Sequence, residues 1–160
     1  MTDRTVNVLI LLSALGSGLI AGVFFAFSSF VMGALGRLPA PQGIASMQSI
    51  NIVVINPVFM TVFLGTAALC AVLAYWAGTH WGDPHALWVM IGAVSYLAGS
   101  LLVTMAFNVP LNNALAVADP ASAQAASLWA NYLGAWNSWN HLRGLAAFAA
   151  STAFIIAQRS

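Results

Sequence analysis

The chain has 160 residues, of which 61% are hydrophobic and 4% charged, and it contains neither lysine nor glutamate. Soluble domains carry about 25% charged residues, so this composition excludes a soluble globular domain and indicates an integral membrane protein. The net charge of +1 argues against a nucleic-acid partner, and the single cysteine, Cys70, excludes a dithiol redox mechanism.

The first predicted membrane span covers residues 6–36, which contain no charged residue. Within it, Ala14, Gly18, Gly22 and Ala26 recur at every fourth position and form a smooth stripe on one helix face. Small residues at this spacing let another helix approach closely. The stripe therefore predicts a helix-packing face, and its Gly18/Gly22 part is a candidate contact between copies in a homo-oligomer.

A loop and a short helix are expected to connect the first span to the second. The loop begins at Arg37 and contains two prolines. Residues 43–55 have the spacing of a short amphipathic helix, with Asn51 in the middle of its apolar face. Asn56 then precedes a proline, a pair that caps and starts helices, and the second span is predicted over residues 57–77.

The turn after the second span contains three residues that can bind metals, His80, Asp83 and His85. No second cluster completes a tetrahedral set of ligands, so a solvated loop is the better interpretation and no metal site is predicted.

The third span is predicted over residues 86–107. Pro110 disfavours helical backbone at the residue before it, so we expect the chain to turn near Asn108 and to enter a short helix. Asp119 precedes a proline and is placed to cap the last helical element.

The fourth span, residues 137–158, carries the clearest indication of function. Its purely hydrophobic part, residues 144–157 apart from two hydroxyl side chains, has 14 residues. At about 1.5 Å per residue it covers ~21 Å of a hydrocarbon core ~30 Å thick. The span must therefore include about six more residues, which brings Asn140, His141 and Arg143 to membrane depth. Polar side chains there usually face a protein interior or a wet cavity.

Four spans with short connections predict one transmembrane domain over residues 1–160. The fold class is all-α: an integral membrane four-helix bundle that runs up-down-up-down, with short amphipathic helices before spans two and four. Arg4 and Arg159 on the side of the termini outnumber Arg37 on the other side, so the termini are expected in the cytoplasm, with the protein in the cell membrane. The polar residues that gather at the opposite end are Asn51, Asn56, Asn108, Asn112, Asn113 and Asn140–Arg143.

These residues could carry out base-assisted chemistry. Histidine exchanges protons near neutral pH, so His141 is the candidate general base. Arg143 and the amides of Asn51, Asn108, Asn112 and Asn140 could donate hydrogen bonds to a developing oxyanion. Trp136 and Trp139 offer flat faces to an aromatic ligand. The structural alternative is an interfacial aromatic girdle with asparagines that cap helices or bond them together.

Four segments resemble the anthrone oxygenase-like family of small four-helix membrane proteins. They are Phe24–Met32, Met47–Asn51, Asn108–Asn113 and the Trp136-x-x-x-Asn140-His141-x-Arg143 motif. The resemblance implies oxidation of an anthrone to an anthraquinone by molecular oxygen, without metal, flavin or another cofactor. His141 would remove a proton from the acidic CH₂ of a flat aromatic ketone, and Arg143 and the amides would hold the enolate.

Two alternatives stay open. The chain could bind a lipid or a quinone in the same pocket without catalysis, or it could be a structural or assembly protein that docks through the Gly18/Gly22 face. The expected partners are the membrane and an apolar small molecule or a lipid, with a possible homo-oligomer through the Gly18/Gly22 face.

Overall fold

A computed structural model describes residues 3–159, which form five helices and, within that range, no strand. The helices are α1 (Asp3–Leu35), α2 (Ala40–Val53), α3 (Pro57–Thr79), α4 (Ala86–Ala116) and α5 (Ala125–Ala157). Of these, α1, α3 and α4 are long and apolar enough to cross a membrane, which supports the predicted membrane class. Although α5 has 33 residues, it is not among the three, because polar side chains occupy its middle.

The segment before the second span agrees well with its prediction. The expected short helix is present as α2, a separate element that buries Ile44 and Met47. Asn56 caps α3, since its Oδ1 accepts the Phe59 N–H at 3.0 Å. The Asn-Pro pair therefore determines where this helix begins.

The predicted break near Asn108 is wrong, because α4 continues through Pro110 to Ala116. Proline interrupts an α-helix because it lacks an N–H and its ring meets the carbonyl four residues earlier. Here the turn before it, Thr104–Asn108, has the wider π-helical spacing, and the Val109 N–H bonds Thr104 O five residues back. The altered spacing lets the helix pass the proline.

The separate amphipathic helix expected before span four is also absent from residues 3–159. Its sequence is divided between the end of α4 and the start of α5, which runs without interruption from Ala125 because no proline lies within it. The carboxylate of Asp119 accepts the Ala121 N–H at 2.9 Å. It therefore stabilises a turn ahead of α5 rather than capping the helix.

The interior contains two hydrophobic clusters with a polar layer between them. The larger cluster joins α1, α3, α4 and the second half of α5, and includes Phe24, Tyr96 and Phe154. The smaller one joins the end of α1, α2, the end of α4 and the start of α5, and includes Met47 and Trp136. Polar side chains lie where the two clusters meet, and we call them the polar layer: the buried Asn108, Asn140 and Arg143 and the half-buried Thr104.

The π-helical turns lie at or close to this layer. They are Phe27–Val31 in α1, and Ser95–Leu102 and Thr104–Asn108 in α4. Such turns are rare and occur often at functional sites, where they change the direction of side chains and free backbone groups. Their position indicates the polar layer as a candidate functional site.

Candidate functional site

Arg143 is the centre of the polar layer, with 7% of its surface exposed. Its Nε and Nη2 donate to Asn140 Oδ1 at 3.0 and 2.8 Å, and its Nη1 donates to Thr104 Oγ1 at 3.2 Å. The guanidinium carbon lies 4.0 Å from the ring centroid of Phe24 and 4.9 Å from that of Trp136. This buried cation is thus held by neutral oxygens and aromatic faces, both favourable partners for a guanidinium.

Asn140 connects Arg143 to α1. Its side chain is fully buried, and its Nδ2 donates to Phe24 O at 2.7 Å and to Ser28 Oγ at 2.6 Å. The same amide therefore accepts two hydrogen bonds from a cation and donates two to the neighbouring helix. All its hydrogen-bonding groups are satisfied, so its orientation is fixed.

Asn108 and Asn112, one turn apart on α4, extend the layer. Asn108 is fully buried; its Nδ2 donates to Trp136 O at 3.2 Å, and its Oδ1 has no hydrogen-bond partner among the described residues. The Oδ1 of Asn112 accepts from the Tyr132 hydroxyl and from Trp136 Nε1, each at 2.8 Å.

His141 lies on another side of α5. Its ring is exposed, and its Nε2 is 3.4 Å from Asn137 Nδ2. It borders a groove of about 400 Å³ between α1 and α5, which we call the His141 groove. The groove is lined by Gly18, Ala21, Gly22, Phe24, Phe25, Ser28, Asn140, His141, Gly144, Leu145 and Phe148.

The walls of the His141 groove face outward from the bundle. Phe25 and Leu145 are each 69% exposed, and Phe148 is 65% exposed. In a chain with three helices long and apolar enough to cross a membrane, apolar side chains this exposed are compatible with contact to lipid. The groove is therefore accessible to an apolar molecule from the side.

The predicted site residues are accordingly divided into two groups. Asn108, Asn112, Trp136, Asn140 and Arg143 meet in or beside the polar layer. His141 does not join them, because it is two residues from Arg143 and a helix turns about 200° over that distance. Only Asn140 belongs to both groups, since it bonds Arg143 and lines the His141 groove.

Trp136 and Trp139, the predicted aromatic contacts of a ligand, both pack against other aromatic side chains of the protein. Trp136 is buried and packs against Phe27, with ring centroids 5.7 Å apart. Trp139 is half-buried and stacks on Phe107 at 3.7 Å. Neither lines the His141 groove.

Sequence reasoning did not identify Thr104 or Ser28, which bond Arg143 and Asn140. A signal for Thr104 is present in the sequence. Ser100, Thr104, Asn108 and Asn112 recur at every fourth position, which places a polar stripe on one face of a helix. Ser28 lies within one of the segments that carry the family resemblance, but the residue alone gives no indication of its partner.

The histidines of the turn between α3 and α4 bond the backbone. Nδ1 of His80 is 2.9 Å from Trp76 O, and Nδ1 of His85 is 2.7 Å from Ala157 O. The described residues contain no group of three or more His, Cys, Asp or Glu side chains suited to hold a metal ion.

Comparison with protein families gives a match between residues 59–153 and the family described as Anthrone oxygenase. The matched segment contains all of α4 and most of α3 and α5, and therefore Thr104, Asn140, His141 and Arg143. Comparisons with curated proteins and with solved structures gave no match.

Proposed function

The chain belongs to the anthrone oxygenase family, and from that premise we propose that it is a membrane-embedded, cofactor-independent oxygenase for a flat aromatic ketone. One observation carries the proposal. His141 and Asn140 border the same apolar groove, and Asn140 accepts two hydrogen bonds from the buried cation Arg143. A proton acceptor and an apolar surface are components that enolate formation requires. The N–H groups of Asn140 are both donated to α1, so this amide acts by transmitting the charge of Arg143 to the edge of the groove.

In the proposed reaction, His141 removes a proton from the CH₂ group of an anthrone, and the electron pair delocalises onto the ketone oxygen. The apolar walls of the groove hold the ring system. The imidazolium that forms then holds the proton with which the departing oxygen leaves as water, so the base is regenerated within the cycle.

The enolate supplies the electrons for the oxidation. Its carbanion carbon transfers one electron to O₂, and the radical pair combines to form a C–O bond and a peroxide. Loss of the second C–H proton then expels hydroxide as the O–O bond breaks and a second ketone forms. The net reaction converts anthrone and O₂ to anthraquinone and water, and no further oxidant or reductant is required.

Arg143 has a different part in this scheme from the one expected. It does not line the groove, and its guanidinium bonds Asn140 and Thr104 instead of pointing toward a ligand. It therefore acts through Asn140, as a positioning residue that polarises the amide. Asn108 and Asn112 support the same layer from α4. Asn51 on α2 forms no hydrogen bond to it, since its Nδ2 is buried without a partner among the described residues.

The proposal includes the membrane arrangement. With α5 as the fourth crossing, α1, α3, α4 and α5 form an up-down-up-down bundle in the cell membrane, with the termini in the cytoplasm. Two contacts support antiparallel neighbours: Ser151 Oγ donates to Ala14 O across α5 and α1, and His85 at the start of α4 bonds Ala157 at the end of α5. The substrate would enter the groove from the lipid phase.

The test is anthrone oxidation by purified protein in detergent micelles or nanodiscs, followed by oxygen uptake and anthraquinone absorbance against protein-free micelles. His141→Ala should reduce the rate to that of the micelles, because no other groove side chain accepts a proton near neutral pH. His85→Ala is the matched control and should retain wild-type turnover. Wild-type turnover in His141→Ala would remove the base from the mechanism.

A non-catalytic function as a lipid- or quinone-binding protein is the second candidate, and the exposed apolar walls of the groove favour it. Co-purification of an apolar ligand without oxygen consumption would support this function over the oxygenase. The assembly alternative predicts instead that Gly22→Leu dissociates a homo-oligomer while His141→Ala has no effect on it.

A further inference from the structure

We propose that Ser28 is the side chain that donates a hydrogen bond to the anionic oxygen of the ligand in the His141 groove. The inference rests on the proposed function for the identity of the ligand. It rests on the structure for the donor, which neither the sequence analysis nor the family match assigns.

The hydroxyl of Ser28 differs from the other helical hydroxyls around it. A serine or threonine in a helix usually donates to the carbonyl four residues earlier. Ser29, Thr104, Ser138 and Thr152 all do so, to Phe25, Ser100, Gly134 and Phe148.

Ser28 does not form this bond. The carbonyl four residues earlier, Phe24 O, accepts instead from Asn140 Nδ2 at 2.7 Å. The same Nδ2 donates to Ser28 Oγ at 2.6 Å. Ser28 Oγ is thus an acceptor, and its own hydrogen has no acceptor among residues 3–159, although the side chain lines the groove.

The positive charge of Arg143 makes the Ser28 hydroxyl a stronger hydrogen-bond donor. Arg143 donates twice to Asn140 Oδ1, which polarises the amide and makes its N–H groups better donors. The Ser28 oxygen that accepts from that amide becomes a better donor in turn, and the chain from Arg143 through Asn140 to Ser28 ends in the groove. A positive charge that cannot reach the ligand directly therefore acts on it through two neutral groups.

The π-helical turn explains why the donor is at this position. Ser28 lies within Phe27–Val31, where the spacing of the backbone hydrogen bonds changes. Such a turn alters the direction of side chains relative to the rest of the helix. His141 lines the same groove from α5, so the proton acceptor and the proposed oxyanion donor approach a ligand from two helices.

The first measurement compares the binding of two probes to the His141 groove, and it tests the Ser28 hydroxyl without requiring turnover. The probe is 4-nitro-1-naphtholate, a flat aromatic oxyanion at neutral pH, and 1-nitronaphthalene is the same ring system without that oxygen. Ser28→Ala should weaken binding of the naphtholate about tenfold or more, because a hydrogen bond to a charged group is lost. Binding of 1-nitronaphthalene should not change.

Three further variants make the result specific. Ser28→Thr retains a hydroxyl and should restore naphtholate binding. Ser28→Cys retains an acceptor for Asn140, but its thiol is a weak hydrogen-bond donor, so its naphtholate binding should be weakened as in Ser28→Ala. It therefore tests the donor even if Ser28→Ala folds poorly. Ser29→Ala removes the adjacent, exposed hydroxyl and should behave as wild type.

The second measurement is turnover of anthrone. Ser28→Ala should lower kcat about 100-fold and change KM by less than about threefold, because charge on the oxygen develops only during the reaction. Equal binding of naphtholate by wild type and Ser28→Ala, or equal loss of both probes, would overturn the assignment of Ser28. Full turnover by Ser28→Ala would overturn it too and leave the oxygenase proposal intact. Absence of turnover by wild type, with naphtholate binding that depends on Ser28, would instead overturn the oxygenase and retain an oxyanion-binding groove.

Discussion

Replacing Asn140 with alanine tests whether the polar layer is a single network. The substitution removes the acceptor of two Arg143 hydrogen bonds and the donor to Phe24 O and Ser28 Oγ. It leaves a buried guanidinium with Thr104 as its remaining hydrogen-bond partner. By contrast, Arg143→Met leaves Asn140 bonded to α1 and places an apolar side chain among aromatic rings. We therefore expect Asn140→Ala to be the more harmful of the two.

The magnitude follows from the bonds that are lost. Hydrogen bonds to a charged group contribute about 1.5–3 kcal/mol, and bonds between neutral groups in membrane proteins about 0.6 kcal/mol each. The two Arg143 bonds share one acceptor oxygen and are counted once. With the two neutral bonds, the sum is about 3 kcal/mol, which lowers Tm by about 6–12 °C in a chain of this size.

A double-mutant cycle provides the decisive comparison. Adding Arg143→Met to Asn140→Ala removes the buried charge that the single variant leaves with too few hydrogen-bond partners. The double variant should therefore lose about 2 kcal/mol less free energy of unfolding than the sum of the two single losses. Unfolding in mixed micelles, followed by circular dichroism, measures each free energy. Asn131→Ala lies on the exposed side of α5 and should change stability by less than about 0.5 kcal/mol. If Asn140→Ala is no worse than Asn131→Ala, or if the two site substitutions are additive, the network described here is not what stabilises the layer.

Two further predictions concern close approach and open space. A methyl group added at Gly99 would overlap the Ala146 Cβ. Gly99→Ala should therefore push α4 away from α5 and lower the free energy of unfolding by about 1–3 kcal/mol, measured as a decrease in Tm. A Cβ on Gly22 meets no atom within 4 Å, and Gly22 lines the His141 groove. Gly22→Leu should therefore fill the groove without a clash, which leaves Tm unchanged. It should weaken 1-nitronaphthalene binding at least fivefold.

The controls are also glycines on helix surfaces. Gly65→Ala and Gly33→Ala each add a Cβ that meets no atom within 4 Å, and neither residue lines the groove. Both should leave Tm and probe binding at wild-type values or slightly raise Tm, since alanine favours helix more than glycine. A Gly99→Ala variant as stable as Gly65→Ala would contradict the close packing of α4 and α5.

Chain length and hydrophobic pattern were sufficient to predict much of the fold. The membrane class, α1, α2, α3 and the cap at Asn56 follow from features that act within a few residues: apolar run length, helical spacing and an Asn-Pro pair. The same local reasoning failed at Pro110. Whether a proline breaks a helix depends on the hydrogen bonding of the turn before it, and that turn is π-helical here.

The sequence alone predicted polar side chains in the middle of the last helix, because the apolar run after them is short, and α5 contains them there. It also fixed the angular separation of His141 from Arg143, since that depends only on helix geometry. The partners of these side chains were decided by the tertiary structure. Arg143 meets Thr104 and Asn140 meets Ser28 because α1, α4 and α5 pack together, and contacts between residues 39 and 112 positions apart leave no mark in the local sequence.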